Sequence, residues 1–169
     1  AVAHGLFPGE AWPWIAFAGA MAAVNADTWA TELGVLNPSP PRLITNGKAV
    51  ERGTSGAVSL GGSLAALGGA GLVAVLAALF TDQTAGGMLL AATLCGVAGS
   101  FIDSWLGATI QAIYWCPTCS KETERYPQHT CGSETNHYRG WRWLDNDWVN
   151  GLASLAGAVV ALLVWLLLV

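Results

Sequence analysis

Long uncharged stretches alternate with short polar ones along the chain, and this alternation sets the predicted elements. The clearest stretch, Gly56 to Phe80, carries no charged residue in its 25 positions. About 20 apolar residues in a helix cross the roughly 30 Å hydrocarbon core of a bilayer. The pattern therefore predicts an all-α, multi-pass transmembrane bundle of about four spanning helices, over residues 12–36, 56–80, 86–115 and 148–169.

The composition favours a membrane protein and argues against a nucleic-acid partner. Only 11% of the residues are charged and 53% are hydrophobic, whereas a soluble domain has about 25% charged residues. The 21 glycines suit closely packed membrane helices. A formal net charge of −4 offers no basic surface for a phosphate backbone. We expect residues 1–169 to form a single membrane domain, with polar loops over 37–55 and 116–147.

The basic residues all lie in the two polar loops. They are Arg42, Lys48, Arg52, Lys121, Arg125, Arg139 and Arg142. Because Lys and Arg are enriched in cytoplasmic loops, both loops are expected to be cytoplasmic and both termini non-cytoplasmic. The N-terminal stretch has no Lys or Arg before its apolar run, so it is not a signal peptide. The start at Ala1 favours a fragment of a longer protein that lacks N-terminal helices.

Two predicted helices carry polar faces inside apolar sequence. In the first helix, the stretch NADTWATEL (residues 25–33) places five polar side chains within an arc of about 160°, at about 100° per residue. They are Asn25, Asp27, Thr28, Thr31 and Glu32. In the third helix a single stripe follows the spacing i, i+3, i+4, i+7, i+11. It consists of Ser100, Asp103, Ser104, Gly107 and Gln111.

Carboxylates at membrane depth need a partner, because each costs roughly 2.5 kcal/mol or more to insert. An ion pair with arginine, or a hydrogen bond between helices, would be a purely structural use for them. Several carboxylates at one depth favour a cation site instead, and hard oxygen ligands suit Mg²⁺. We therefore predict that Asp27, Glu32 and Asp103 bind Mg²⁺.

The first polar loop predicts an anion site. Lys48 and Arg52 precede Gly53-Thr54-Ser55-Gly56, which is expected to open the second helix. Free backbone N–H groups, two hydroxyls and the positive end of a helix dipole would attract a phosphate there. The motif alone is weak, since Thr or Ser can cap a helix without any ligand. Beside basic residues and a carboxylate cluster, it favours phosphate together with a divalent metal.

The second polar loop carries the spacing of a zinc site. Cys116 and Cys119 form a C-x₂-C pair, and His129 and Cys131 follow. Three loop cysteines cannot all pair as disulfides, and a cytoplasmic loop is kept reduced. A Cys₃His site of Cys116, Cys119, His129 and Cys131, with His129 preferred over His137, is therefore predicted to bind a structural Zn²⁺. A C-x₂-C pair without a metal is the alternative.

A third polar cluster, RGWRWLDNDWVN, opens the last predicted helix. Asp147, Asn150 and Ser154 share one face by their i, i+3, i+7 spacing. The structural alternative is an interfacial anchor, a use that the neighbouring tryptophans fit. We predict that Asp147 and Asn150 complete the metal or phosphate-donor site.

Five motifs in order carry a family resemblance. They are NADTWATELGVL, PRLITNGKAVERGTSGAVSL, GSFIDSWLGATIQ, the C-x₂-C…H-x-C-G loop and RGWRWLDNDWVN. Over about residues 14–165 they resemble the integral-membrane family of transmembrane protein 19 and plant phytyl-phosphate kinase, also called domain of unknown function 92. The order D…E-L-G, basic loop, G-T-S more distantly resembles dolichol and phytol kinases, which use CTP. The resemblance implies phosphoryl transfer from a nucleoside triphosphate to a prenyl monophosphate at the cytoplasmic membrane face.

The functional hypothesis is a Mg²⁺-dependent membrane kinase that transfers a phosphoryl group from CTP or ATP to a phytyl-like monophosphate. Its catalytic residues would be Asp27, Asp103 and Lys48. Substrate and phosphates would contact Asn25, Thr28, Arg52, Thr54, Ser55 and Arg139. The Mg²⁺ ligands would be Asp27, Glu32, Asp103, Asp147 and Asn150.

The rival hypothesis is a transporter that binds a coupling cation or proton at the same carboxylates, and a helix break near Asp27 would favour it. A structural scaffold ranks third. The expected partners are the lipid bilayer, a prenyl phosphate and a nucleoside triphosphate. A homo-oligomer is compatible with the sequence.

Overall fold

The computed structural model describes residues 2–80 and 85–168, and helices dominate it. A short helix, α1, precedes four long ones. The helices are α1 (Val2–Leu6), α2 (Trp12–Gly34), α3 (Leu60–Leu79), α4 (Ala85–Thr109) and α5 (Asn146–Leu168). The predicted turn between the second and third spanning helices falls on residues 81–84, outside the described residues.

The four long helices form a bundle with α2 and α4 at its centre. Helix α2 packs against α3, α4 and α5, and α4 also packs against α3 and α5. Small residues on the inner face of α2, among them Ala18, Ala22 and Ala26, are fully buried. Large apolar side chains such as Leu64, Leu72 and Leu163 lie on the outside. An apolar exterior around a small-residue interior is the arrangement that a bilayer favours.

Close packing between α2 and α5 depends on glycine. A Cβ atom added at Gly157 would lie 2.7 Å from the Cβ of Ala23 and 2.7 Å from the carbonyl oxygen of Gly19. Real Cβ atoms do not approach that closely, so the two helix backbones meet only because a side chain is missing there.

Three of the four long helices are long and apolar enough to cross a membrane. They cover Leu60–Leu79, Gly86–Thr109 and Asn146–Leu167, with mean hydropathies of 2.0, 1.5 and 2.1. Helix α2, with 23 residues, is of similar length but carries the polar NADTWATEL stretch. The predicted multi-pass helical bundle is therefore confirmed, with three spans evident from composition and α2 packed against all three.

Several helix ends differ from the predicted ones. The helix predicted over 86–115 ends at Thr109, because the chain turns and residues 113–116 join a sheet. The helix predicted from residue 56 begins at Leu60, where the Ser59 hydroxyl accepts a hydrogen bond of 3.0 Å from the Gly62 amide. The last helix begins two residues early, at Asn146, and the Asp145 side chain accepts a hydrogen bond from the Trp148 amide.

Both polar loops contain small antiparallel sheets that the sequence pattern did not predict. In the first loop, β1 (Arg42–Leu43) pairs with β2 (Ala57–Val58). In the second loop, β3 (Ile113–Cys116) lies between β4 (Lys121–Thr123) and β5 (Asn136–Arg139).

The two polar loops lie at the same end of the bundle. The Ser55 hydroxyl in the first loop donates a 3.1 Å hydrogen bond to the Gln111 side chain, just after α4. Gly56, with a positive φ of 79°, lies against Ala108, and a side chain at this position would collide with it. The bundle therefore has one polar end, built by both loops together.

Candidate functional site

A small cavity opens where α2, α4 and α5 meet, near the polar end of the bundle. Its volume is about 80 Å³. It is lined by Ala23, Val24, Asp27, Thr28, Asp103, Asn150, Ala153 and Ser154. Asp27 lies seven residues before the end of α2, which at 1.5 Å per residue is about 10 Å inside the polar end. The structure thus brings together four predicted site residues from three helices: Asp27, Thr28, Asp103 and Asn150.

The two carboxylates in this cavity differ in their hydrogen bonding. The hydroxyl of Ser100 donates a 3.3 Å hydrogen bond to Oδ1 of Asp27. Oδ2 of Asp103 is buried and has no hydrogen-bond partner among the described residues. A buried carboxylate oxygen without a partner is unfavourable, because it has lost its water and gained nothing in return. A cation, a water molecule or a proton would each satisfy this oxygen.

No structural ion pair accounts for these carboxylates within residues 2–80 and 85–168. The ion pair found there joins Arg139 to Glu122, 3.4 Å apart, in the three-stranded sheet. The arrangement therefore disfavours the hypothesis that Asp27 or Asp103 is held by an arginine.

A larger cavity of about 620 Å³ lies between the three-stranded sheet and the start of α5. It is lined by Tyr114, Glu124, Tyr126, Thr135, Asn136, His137, Arg142, Asp145, Asn146 and Asp147. Asp147 in this cavity and Asn150 in the smaller one are one helical turn apart on α5. The two cavities are therefore neighbours.

Some predicted site residues on the helices point elsewhere. The side-chain amide of Asn25 donates a 2.8 Å hydrogen bond to the Gly69 carbonyl, which joins α2 to α3. Glu32 is exposed in the last turns of α2 and does not line either of the two cavities in the described part of the chain. Asp147 lines the larger cavity and not the smaller one.

Two predicted phosphate-binding residues of the first loop, Arg52 and Thr54, are engaged within the loop itself. Arg52 donates hydrogen bonds to the carbonyls of Asn37 and Pro38, at 2.7 and 3.1 Å. The Thr54 hydroxyl donates to the Glu51 carbonyl, and Lys48 is exposed. Among the described residues, these side chains do not line either cavity.

The prediction that the Gly-Thr-Ser-Gly motif opens a helix, and binds an anion at its start, is wrong about the helix. Gly53-Thr54-Ser55-Gly56 forms turns before β2, and α3 begins only at Leu60. The backbone N–H groups of this motif are therefore not the free ones of a helix N-terminus. Ser55 is nevertheless well placed to hold the two loops together through Gln111.

The cavities also contain residues that the sequence prediction missed. Glu124, Asn136, His137 and Arg142 line the larger cavity. Arg139, which was predicted to bind phosphate, instead donates a 3.0 Å hydrogen bond to the Gly107 carbonyl and pairs with Glu122. Arg142, three residues further on, is the loop arginine that the structure brings to a cavity.

A compact sulfur and nitrogen cluster lies in the second loop. The candidate ligand atoms of Cys116, Cys119, His129 and Cys131 all lie within 4.8 Å of one another. The Cys116 and Cys131 sulfurs are 3.6 Å apart, and His129 Nδ1 is 3.3 Å from the Cys131 sulfur. Two thiolates on a tetrahedral Zn²⁺, each about 2.3 Å from the metal, would be about 3.8 Å apart. The predicted Cys₃His cluster is confirmed, and its dimensions fit a metal ion.

Local interactions act oppositely on the two cysteines of the C-x₂-C pair. Burial raises the pKa of the Cys116 thiol, but hydrogen bonds from the Cys119 amide and the Cys131 thiol outweigh it, so that the pKa is lowered. The hydrogen bond with Cys131 and burial raise the pKa of the Cys119 thiol to about 11. The thiolate is the form that binds a metal, so a metal ion would have to displace the Cys119 proton. His137, the less favoured candidate, bonds instead to the Gly140 carbonyl at 3.0 Å and lines the larger cavity.

A comparison with known protein families identifies the family of this chain. A family model described as integral membrane protein DUF92 matches residues 2–158. The chain belongs to the DUF92 family. The family resemblance predicted from the five sequence motifs is thereby confirmed.

Relatives of this DUF92 chain come from a plant, an archaeon and a cyanobacterium. Protein PGR of Arabidopsis thaliana is 39% identical over 147 residues, which cover 81% of this chain and 49% of that protein. An uncharacterized membrane protein of Methanocaldococcus jannaschii is 35% identical over 65% of this chain and 49% of its own length. An uncharacterized membrane protein of Synechocystis is 28% identical over 96% of this chain and 52% of its own length.

The DUF92 chain spans about half the length of these curated relatives. No solved structure matches it.

Proposed function

We propose that this DUF92 chain forms the site of a Mg²⁺-dependent phosphotransferase, which moves a phosphoryl group from CTP or ATP to a prenyl monophosphate. The observation that supports it best is the small cavity where Asp103 presents a buried, unpartnered carboxylate oxygen beside Asp27 and Asn150. Oxygen donors of this kind are the ligands that Mg²⁺ prefers, and the ion commonly shares them with substrate phosphates. Asp27, Asp103 and Asn150 would hold the ion, which would neutralise charge on the reacting phosphates.

The position of the cavity suits an acceptor with a lipid tail. The carboxylates lie about 10 Å inside the polar end, by the rise of α2. A prenyl chain can lie along the apolar exterior of the bundle while its phosphate reaches the polar residues. An acceptor phosphate is already anionic, so the protein needs mainly to position it and to offset charge. Ser154, on the cavity wall, can donate a hydrogen bond to it. The Thr28 hydroxyl donates to the Val24 carbonyl at 2.9 Å.

The basic residues differ in how well the structure supports a phosphate-binding role for them. Arg142 lines the neighbouring cavity and is the arginine best placed to contact phosphates. The catalytic role of Lys48 and the phosphate contacts of Arg52, Thr54, Ser55 and Arg139 remain predictions from the sequence.

The rival hypothesis of a transporter has less support. A helix broken near Asp27 would favour ion transport, but α2 is one continuous helix from Trp12 to Gly34.

For the second loop we propose a structural Zn²⁺, bound by Cys116, Cys119, His129 and Cys131. Four protein ligands would close a tetrahedral site and leave no position for substrate. Three of these ligands lie on β3 or in the segment between β4 and β5. The ion would therefore hold the three-stranded sheet in shape.

The direct test of the phosphotransferase proposal is an assay of the purified chain with Mg²⁺, labelled CTP or ATP, and a panel of prenyl monophosphates. We expect labelled prenyl diphosphate, formed only when Mg²⁺ is present. If the chain instead moves protons or cations across the membrane of proteoliposomes and forms no labelled lipid product, the result would support the transporter.

We also propose that both polar loops face the cytoplasm and both ends of this chain face away from it. A cysteine placed at Asn46, in the exposed first loop, should resist an impermeant thiol reagent in intact cells and react after permeabilisation. A cysteine placed at Thr84 should react without permeabilisation. The reverse pattern would place the cavities on the wrong side for a cytoplasmic nucleotide and contradict the orientation.

A further inference from the structure

We propose that the larger cavity of about 620 Å³ binds a magnesium–nucleoside triphosphate, with the base at the sheet and the phosphates toward α5. This inference rests on the proposed phosphotransferase function and assigns its donor subsite. Cavities of about 300–1,000 Å³ are the usual size for sites that enclose small organic ligands. The assignment follows from the aromatic residues, the charges and the neighbouring cavity.

The sheet end of the cavity carries a stacked aromatic pair. The rings of Tyr114 and Tyr126 are 4.8 Å apart between centroids, with an interplanar angle of 23°. Tyr114 is 8% exposed and wedged against His137, whereas Tyr126 is 67% exposed. Tyr126 therefore has a supported ring with a free face, on which a nucleobase can stack. The neighbouring Asn136 amide offers both a donor and an acceptor for the edge of a base.

The charges in the cavity indicate a metal-bound polyphosphate and not a bare anion. Arg142 supplies one positive side chain, while Glu124, Asp145 and Asp147 supply three carboxylates. Together they would repel a free triphosphate. Once Mg²⁺ offsets part of the phosphate charge, the arginine can bind phosphate oxygens and the carboxylates can accept hydrogen bonds from water on the ion.

The position of the smaller cavity indicates which end of the nucleotide points toward α5. The wall of the larger cavity continues along α5 from Asp147 to Asn150 and Ser154 in the smaller one. A nucleotide with its base on Tyr126 and its phosphates near Arg142 would direct the terminal phosphate toward Asp27 and Asp103. The acceptor would approach the same point from the membrane side.

The experiment measures equilibrium binding of Mg–CTP and Mg–ATP to the purified chain in detergent. Loss of one base–aromatic stack in Tyr126→Ala is expected to weaken binding by roughly 5- to 150-fold, while Tyr126→Phe, which keeps the ring, stays near the parent. Tyr138→Ala is the matched control, because Tyr138 is an exposed tyrosine of the three-stranded sheet that does not line the cavity. Its ring lies tilted against Trp115, with centroids 5.7 Å apart and an interplanar angle of 39°. Thermal unfolding of each variant checks that the fold is intact.

Failure of this inference can be told apart from failure of the proposed function. A parent chain that binds nucleotide, with Tyr126→Ala binding equally well, overturns the donor subsite and leaves the phosphotransferase proposal standing. The subsite is likewise overturned if the parent transfers phosphoryl groups and Tyr126→Ala keeps the parent KM for nucleotide. Selective loss of binding in Tyr126→Ala, without any transfer to a prenyl phosphate by the parent, supports the subsite and contradicts the phosphotransferase. A parent that binds neither nucleotide overturns the subsite.

Discussion

Replacing Asp103 with asparagine is expected to reduce Mg²⁺-dependent phosphoryl transfer by about 100-fold or more, the usual loss when a preorganised electrostatic group is removed from an active site. The same change should leave the bundle at least as stable as the parent. Asparagine keeps the volume of the side chain, and it removes a charge whose Oδ2 oxygen is buried without a hydrogen bond among the described residues. Asp27→Asn should behave in the same way, since its carboxylate lines the same cavity.

The measurements are transfer rate as a function of Mg²⁺ concentration and thermal unfolding in detergent. Glu32→Gln is the matched control: it removes a carboxylate from α2 that lies outside both cavities in the described residues. We expect this variant to keep near-parent activity, although the sequence pattern alone placed Glu32 among the Mg²⁺ ligands. If Asp103→Asn loses stability while activity persists, Asp103 is structural, since breaking a buried ion pair typically costs about 3–5 kcal/mol.

Removing one ligand of the cysteine and histidine cluster is expected to release one zinc ion per chain and unfold the three-stranded sheet. Structural zinc sites of small domains contribute about 10–16 kcal/mol of apparent binding free energy at neutral pH. We therefore expect a sheet with strands of three or four residues to depend on the proposed ion. Cys131→Ala and His129→Ala should both lose zinc. The four long helices, which are held mainly by contacts with one another, should remain folded.

Elemental analysis of protein purified without chelator, together with limited proteolysis of the second loop, tests this expectation. Cys95→Ala is the matched control for the cysteine change, because Cys95 is buried within α4 and away from the cluster. His137→Ala is the control for the histidine change. Zinc-free protein with a disulfide between Cys116 and Cys119 in the cell would contradict the zinc proposal.

The sequence was informative about the helices and about the polar face that α2 and α4 share. Apolar runs and the 3.6-residue period are local properties, so the predicted pairing of Asp27 with Asp103 could be made before any contact was known. Asn150 could be added to the predicted site because its spacing from Asp147 and Ser154 places all three on one face of α5.

The remaining site residues could not be predicted, because tertiary contacts bring them together. The strands of the second loop have three or four residues, too few to show an alternating pattern. Glu124 and Arg142 reach the larger cavity only through the folding of that loop. The interpretation of Lys48, Arg52 and the Gly-Thr-Ser-Gly motif depended on closeness in the chain. In the structure, Arg52 and Thr54 bond to carbonyls of the first loop, and Ser55 bonds to Gln111, just after α4.

The central position of α2 has a consequence for how the protein is made. A segment that carries Asp27 inside its apolar sequence is poorly suited to partition into lipid by itself, since a carboxylate at membrane depth opposes insertion by roughly 2.5 kcal/mol or more. Its small-residue faces match α3, α4 and α5, which are synthesised after it. Helix α2 would therefore have to remain at the insertion machinery until α3, α4 and α5 have been synthesised. Membrane insertion of this chain becomes an assembly process, in which the helix that carries Asp27 enters the bilayer together with its neighbours.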